Sequence, residues 1–170
     1  GMTREDRQQW VERRRTRPDV VRLVEVTADN QRSVRRLVTH KSQERFVSPV
    51  INSFADAMFP ATIDGRPVDP WMRAVEADGE LVGFVMLATA NEVHREPYLL
   101  RLLVDRMHQR RGIGSTVLDL VIDQCREWGA ESLLVSWSPG RGGPEPMYVA
   151  RGFVPTGVVD DGEIEARLTL

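Results

Sequence analysis

The segment from Val104 to Cys125, VDRMHQRRGIGSTVLDLVIDQC, most limits what this chain can fold into. An apolar, strand-like run ends at Val104, polar and basic residues follow, and an apolar pattern with helical spacing begins after two glycines. A strand that leads through a glycine turn into a long helix is typical of α/β folds. Because the first amides of a helix have no intrahelical partner, the junction predicts an anion site.

The turn itself reads QRRGIG, from Gln109 to Gly114. Glycines at 112 and 114 remove side chains that would hold a phosphate away from the backbone, while Gln109, Arg110 and Arg111 add donors and positive charge. The turn lacks the lysine and Ser/Thr pair of a P-loop and the third glycine of the dinucleotide fingerprint, which disfavours ATP and NAD. A plain tight turn with no ligand is the alternative that stays open.

The rest of the pattern predicts a mixed α/β sandwich in the order strand, two helices, three strands, helix, strand, helix, two strands. Asp78-Gly79 between two apolar runs predicts a type I′ hairpin. The predicted strands are Val20–Val26, Met72–Ala77, Glu80–Ala90, Tyr98–Val104, Leu133–Trp137, Phe153–Val159 and Ile164–Leu170. The predicted helices follow an Asp29 cap, cover Phe46–Phe59, run from Ile113 to a terminating Gly129, and include Met147-Tyr148.

A chain of 170 residues suits one domain with a sizeable core. Its longest apolar runs, Leu81–Ala90 and Leu99–Val104, are too short to cross a membrane. The N-terminus has no apolar stretch of the signal-peptide type, so we expect a cytoplasmic protein. The single cysteine, Cys125, falls on the apolar face of a predicted helix, so we expect a buried thiol in a reducing compartment.

The net charge of −2 hides a basic N-terminus. The arginines before Pro18 are Arg4, Arg7, Arg13, Arg14, Arg15 and Arg17. We predict that residues 1–19 form an Arg-rich extension and residues 20–170 the single domain. Because acidic residues are mixed in and no aromatic platform accompanies them, a solvated or partly helical extension is favoured over a nucleic-acid contact.

Two separated motifs resemble those of the GNAT N-acetyltransferase superfamily: Q/R-x-x-G-x-G/A after an L-x-V-D strand, and a tyrosine four residues before Gly-Phe. The matching residues are Leu102, Val104, Gln109, Gly112, Gly114, Tyr148, Gly152 and Phe153. The element order from Val20 to Leu170 is also similar to that fold. The resemblance implies an α/β fold with a mixed, mostly antiparallel central sheet, flanking helices and a splayed central strand pair.

The resemblance also implies acetyl-CoA as cosubstrate. Its pyrophosphate would bind the amides from Arg110 to Ser115, its pantetheine arm would run along Leu102 to Val104, and an amide near Leu103 would stabilise the oxyanion. The implied cofactor-binding residues are Leu102, Leu103, Val104, Gln109, Arg110, Arg111, Gly112, Ile113, Gly114 and Ser115. We predict no metal site.

Tyr148 resembles the general acid that protonates the CoA thiolate, although a tyrosine merely packed in the core is the competing interpretation. The family often places a glutamate base near the start of the central strand. Here that position aligns with Tyr98, so Glu96 is the predicted base, with Glu92 and His94 as loop alternatives acting through water. The chain also departs from a "GN..A..LY" pattern. Arg141 stands in that loop, and two interpretations stay open: it contacts the 3′-phosphate of CoA, or it is simply solvated.

Several pieces of the chain look similar to the bacterial diamine and spermine/spermidine N-acetyltransferase-like branch, which implies a primary amine acceptor, a small amine or polyamine. The implied acceptor residues are Phe46, Asn52 and Asp56, for which helical core packing is an equally good explanation of the segment. A protein N-acetyltransferase using the Arg-rich N-terminus and a non-catalytic acyl-CoA-binding module stay as alternatives. Since superfamily members often dimerise, a homodimer is among the expected partners.

Overall fold

The computed structural model describes residues 1–44, 62–63 and 66–170. Its helices are α1 (Arg4–Arg15), α2 (Gln31–Glu44), α3 (Ile113–Glu127) and α4 (Glu145–Ala150), with a 3-10 turn at Arg106–His108. Its strands are β1 (Val21–Val24), β2 (Thr62–Ile63), β3 (Arg66–Pro67), β4 (Asp69–Ala77), β5 (Glu80–Thr89), β6 (Tyr98–Val104), β7 (Ser132–Trp137), β8 (Val154–Asp160) and β9 (Glu163–Thr169).

The central sheet has seven strands in the order β1-β4-β5-β6-β7-β9-β8, and β2 pairs with β3 in a separate ribbon. Antiparallel pairs join β1 to β4, β7 to β9 and β8 to β9, whereas β6 and β7 are parallel. The parallel ladder pairs only Tyr98 with Leu134 and Leu99 with Val135, although β6 continues to Val104. The predicted fold class is therefore confirmed, including the strand pair that opens after its first residues.

The chain divides into two compact units. The first holds α1, β1, α2, the hairpin from Met72 to Val85 and the segment from Leu102 to Leu118. The second holds the segments from Met86 to Arg101 and from Asp119 to Leu170. Among the side chains that the structure describes, the buried apolar residues of the first unit are Val34, Leu37, Val38, Ala74, Val75, Ala77, Val82, Phe84, Val85, Ile113, Val117 and Leu118. Those of the second include Leu87, Leu99, Val121, Cys125, Leu133, Val135, Trp137, Phe153 and Ala166.

The turn between β4 and β5 has the predicted conformation. Asp78 has φ 51° and Gly79 has φ 81°, the pair of positive angles that a type I′ turn requires. The Asp78 carboxylate accepts hydrogen bonds from the amides of Asp19 and Val20, and the Asp78 amide donates to the Val20 carbonyl at 2.8 Å. The hairpin therefore fixes the chain just before β1.

The start of α2 corrects one prediction. Thr27, not Asp29, caps this helix: its hydroxyl accepts from the Asn30 amide at 3.3 Å, its carbonyl accepts from the Gln31 amide at 2.9 Å, and Asn30 Oδ1 accepts in return from the Thr27 amide at 2.7 Å. The predicted helix Phe46–Phe59 lies outside the described residues. The sequence pattern did not predict the short β2–β3 ribbon, because strands of two residues are too short to show a hydrophobic periodicity.

Helix α3 matches its prediction closely. It begins at Ile113 and ends at Glu127, and Gly129 follows with φ 79°, the left-handed conformation common after a helix C-terminus. Cys125 is fully buried on this helix, and burial raises the pKa of its thiol to about 11.

In the described ranges, no helix combines the length and hydropathy needed to span a bilayer.

A glycine in β5 allows β6 to approach closely in the first unit. A Cβ added to Gly83 would collide with the carbonyl oxygen of Leu103 and lie 3.2 Å from Val75 Cβ. We expect Gly83→Ala to lower the free energy of unfolding by about 1–3 kcal/mol, the usual cost of overpacking a core. Urea denaturation measures this change, and an unchanged midpoint would contradict the close approach.

Candidate functional site

The junction between β6 and α3 is a tight turn with left-handed residues. Asp105 Oδ1 accepts from the Met107 amide at 3.1 Å and so starts the 3-10 turn, after which Arg110 has φ 66° and Gly112 has φ 74°. The first bond into α3 runs from the Thr116 amide to the Gly112 carbonyl at 3.1 Å. The amides of Ile113 and Gly114 precede that bond, so they stand at the positive end of the helix dipole, as an anion site requires.

The polar side chains of the turn have different surroundings. Gln109 and Arg110 are exposed, and Gln109 Nε2 donates to the Val104 carbonyl at 3.4 Å. Arg111 is buried: its Nε donates to the Thr16 carbonyl at 2.8 Å, and its Nη1 donates to His108 Nδ1 at 2.8 Å. A phosphate contact by Arg111 therefore competes with two existing hydrogen bonds, and it stays a prediction.

Tyr148 lies in α4, in an aromatic stack of the second unit. Its ring stacks on that of Trp137 at a centroid distance of 5.3 Å and packs edge-on against that of Phe153 at 5.4 Å, with an interplanar angle of 74°. The residue is 5% exposed, and its carbonyl accepts from the amides of Arg151 and Phe153. The stack holds the side chain in one orientation, which suits both a general acid and a core residue.

Glu96, the predicted base, is in an ion pair. Arg167 Nε donates to its Oε1 at 2.8 Å and Nη2 donates to its Oε2 at 3.1 Å. Glu96 also lines a cleft of about 670 Å³ that includes Trp128 and Glu131. Both carboxylate oxygens of Glu96 therefore already accept charge-assisted hydrogen bonds, and a contact with substrate would compete with this pair. Its role as base stays a prediction.

A polar cluster at Tyr98 was missed by sequence reasoning. Tyr98 Oη donates to Glu165 Oε2 at 3.5 Å, the Thr156 hydroxyl donates to Glu165 Oε1 at 3.0 Å, and the Ser136 hydroxyl donates to Glu163 Oε2 at 3.1 Å. Burial, then the nearby carboxylate charges, raises the pKa of Tyr98 above its ordinary value of 10.0. The signal was the alternation of Glu163 and Glu165 in β9, but only the β7–β9 register brings them to Ser136.

The other predicted residues are distributed as follows. Leu102, Leu103 and Val104 form the end of β6, beyond its ladder with β7. In the loop before β6, Asn91 Oδ1 accepts from the His94 amide at 2.7 Å, and Glu92 is exposed. Ser115 lies in the first turn of α3, and Arg141 is exposed in the loop before α4. The predicted acceptor residues Phe46, Asn52 and Asp56 lie outside the described part of the chain.

A model of the acetyltransferase (GNAT) family matches residues 35–153 of this sequence, more than half of the chain. The chain belongs to the GNAT family. This membership confirms the predicted enzyme class, an acetyl-CoA-dependent N-acetyltransferase. The glycine turn at α3, with its helix amides and left-handed Gly112, fits the phosphates of that cosubstrate. A search of curated proteins returns no significant match.

Solved structures of GNAT proteins share the fold at low sequence identity. The PaiA N-acetyltransferase of Thermoplasma acidophilum, solved with coenzyme A, aligns with a TM-score of 0.65 and 15% identity over 89% of this chain and 99% of its own. The ribosomal-protein-S18-alanine N-acetyltransferase of Escherichia coli gives 0.63 and 16% over 88% and 94%. A GNAT acetyltransferase of Elizabethkingia anophelis with acetyl-CoA bound gives 0.62 and 15% over 89% and 99%.

Proposed function

We propose that this GNAT protein transfers the acetyl group of acetyl-CoA to the primary amine of a small molecule or polyamine. The observation that carries the proposal is the glycine turn before α3, where left-handed Gly112 precedes two helix amides that have no intrahelical partner. These amides bind the diphosphate of the cosubstrate, as backbone donors at helix N-termini do. The end of β6 offers main-chain groups to the pantetheine arm in the manner of an added strand.

The reaction is direct attack of a neutral amine on the thioester. A C–N bond forms, the C–S bond breaks, the ammonium loses a proton, and the departing thiolate gains one from a general acid. Tyr148 is the proposed acid, and a main-chain amide near Leu103 is the proposed oxyanion donor. The rigid stack of Tyr148 on Trp137 supports the first role, because a general acid must be held in a fixed orientation.

The cluster at Tyr98 supports a cationic acceptor. Glu165 and Glu163 present carboxylates beside Tyr98 and Ser136, and an ammonium group binds carboxylates through charge-assisted hydrogen bonds. The pKa of Tyr98 is raised further above its ordinary value of 10.0, so the phenol is neutral at physiological pH and is a donor, not a base. We therefore assign the binding of the acceptor ammonium to Glu165, while the proton acceptor is Glu165 or, once its ion pair opens, Glu96.

The first test is calorimetric titration of acetyl-CoA, followed by thiol release with a panel of polyamines, amino acids and aminoglycosides. Cys125 is buried and contributes little to the thiol signal. We expect turnover on at least one small amine. In Glu165→Gln, the KM for that amine should rise about tenfold, while the affinity for acetyl-CoA stays unchanged. Glu127→Gln, an exposed carboxylate at the end of α3, is the matched control and should behave as the parent protein.

The acetyl-CoA titration and the amine panel together distinguish the ways in which the proposal could fail. If the protein does not bind acetyl-CoA, the assignment of the cosubstrate site to the glycine turn is wrong. Binding without turnover on any amine would contradict the small-amine acceptor and favour a non-catalytic acyl-CoA module or a protein substrate. An unchanged KM in Glu165→Gln would contradict the acceptor assignment at Tyr98 alone.

A protein N-acetyltransferase is the second candidate, favoured by the Arg-rich N-terminus and by the fold shared with the ribosomal-protein-S18-alanine enzyme. Truncation before Pro18 does not test it cleanly, because Thr16 is bonded to the glycine turn through Arg111. Arg4→Glu combined with Arg7→Glu is the better variant, since both side chains are exposed on α1. Loss of activity on a protein acceptor with unchanged acetyl-CoA affinity would support this candidate.

A further inference from the structure

The segment before β1 is attached to the glycine turn of the candidate site. Thr16 accepts a 2.8 Å hydrogen bond from Arg111, and the amides of Asp19 and Val20 donate to the Asp78 carboxylate. Residues 16–20 are therefore held at both ends within the first unit. This segment precedes residues 35–153, the part of the chain that the family model matches.

The hydrogen bond that holds Thr16 comes from a buried, charged side chain. Arg111 is 7% exposed, and its Nη1 donates to His108, whose Nε2 lies 3.5 Å from Glu80 Oε1. A buried guanidinium with these partners is expensive to displace, because breaking the bonds would leave charged, buried donors without acceptors. Arg111 is thus a positioning residue, which holds the segment that carries Arg17.

Arg17 brings an exposed guanidinium to the glycine turn. The nearest atoms to a Cβ built on Gly112 are Arg17 Nε at 3.1 Å, Cζ at 3.3 Å and Nη2 at 3.5 Å. Among the side chains that the structure describes, no carboxylate forms an ion pair with this guanidinium. Gly112 supplies the carbonyl that accepts the first bond of α3, so the cation lies beside the start of the helix.

This arrangement opposes the usual electrostatics of a helix. Cations stabilise helix C-termini, and a guanidinium beside an N-terminus meets the positive end of the dipole. The two positive groups are compatible when an anion lies between them and binds both. A diphosphate has enough charge and acceptor oxygens for the helix amides and for a planar guanidinium.

We propose that Arg17, from the N-terminal extension, is a ligand of the diphosphate of the cosubstrate, so that the extension forms one wall of the binding site. This inference rests on the proposed function, in which the helix amides of the same turn bind acetyl-CoA. It changes the role expected for the arginines of the turn, because Arg111 acts through the protein and Arg17 contacts the ligand.

The test is titration of acetyl-CoA into Arg17→Ala, Arg17→Lys and the matched control Arg7→Ala, which removes an exposed arginine of the same extension. Loss of a charged hydrogen-bond donor predicts about a tenfold weaker Kd for Arg17→Ala, an intermediate Kd for Arg17→Lys and an unchanged Kd for Arg7→Ala. The lysine variant keeps the charge and the aliphatic stem, so it remains informative if alanine disturbs the turn. We also expect a shallower salt dependence of binding in Arg17→Ala.

Repeating the titrations with 3′-dephospho-acetyl-CoA identifies the phosphate involved. A tenfold loss that persists supports the diphosphate, and a loss that vanishes overturns it in favour of the 3′-phosphate. If the parent protein binds acetyl-CoA and Arg17→Ala binds it equally well, the inference fails while the proposed function stands. An equal loss in Arg7→Ala also overturns it, because the effect is then one of overall charge. A parent protein that does not bind acetyl-CoA refutes the proposed function itself.

Discussion

Gly112→Asp should weaken acetyl-CoA binding at least a hundredfold. The substitution places a carboxylate beside the helix amides that are proposed to bind the diphosphate, and juxtaposed like charges cost several kcal/mol. Aspartate tolerates the left-handed conformation that Gly112 adopts at φ 74° better than most residues, so the fold should persist. Calorimetric titration measures the loss, and thermal denaturation checks that the variant is folded.

Gly112→Asn is the matched control for this substitution, because asparagine has nearly the same shape without the charge. Both variants add a Cβ about 3.1 Å from Arg17 Nε, so they share the same crowding. We expect the asparagine variant to lose much less affinity than the aspartate variant. Equal losses would attribute the effect to bulk, and retained affinity in Gly112→Asp would contradict the anion site.

Tyr148→Phe should reduce turnover about a hundredfold, the low end of the range for general acid catalysis, with the Kd for acetyl-CoA unchanged. Phenylalanine keeps the ring that stacks on Trp137 and Phe153, so the aromatic core should remain intact. Single-turnover measurement of acetyl transfer is the appropriate assay, because slow product release would hide a loss in the chemical step.

The Tyr148→Phe variant distinguishes the two interpretations of Tyr148, a general acid and a packed core residue. A loss of turnover with unchanged affinity and unchanged thermal stability would assign the hydroxyl to the reaction. Equal rates in both proteins would make Tyr148 a core residue of the stack. A parallel fall in turnover and stability would also favour the packing role, since the hydroxyl would then support the fold.

Local features of this protein were predicted closely from sequence. The Asp78-Gly79 turn, the bounds of β6 and the end of α3 before Gly129 all follow from residues that are neighbours in the chain. Turn geometry and helix termination depend on the conformations allowed to a few adjacent residues, so short patterns suffice. The α2 cap is Thr27, two residues before the predicted Asp29, because Thr27 and Asn30 bond reciprocally across the start of the helix.

The sequence by itself thus determined the strand-turn-helix junction, its glycines and the fold class. Only the tertiary structure decided how charged side chains are paired: Arg111 bonds to Thr16, Glu96 binds Arg167, and Glu165 meets Tyr98. The partners in these pairs are 95, 71 and 67 residues apart in the chain. Such pairing depends on strand register and on the burial of whole segments, and no local pattern contains that information.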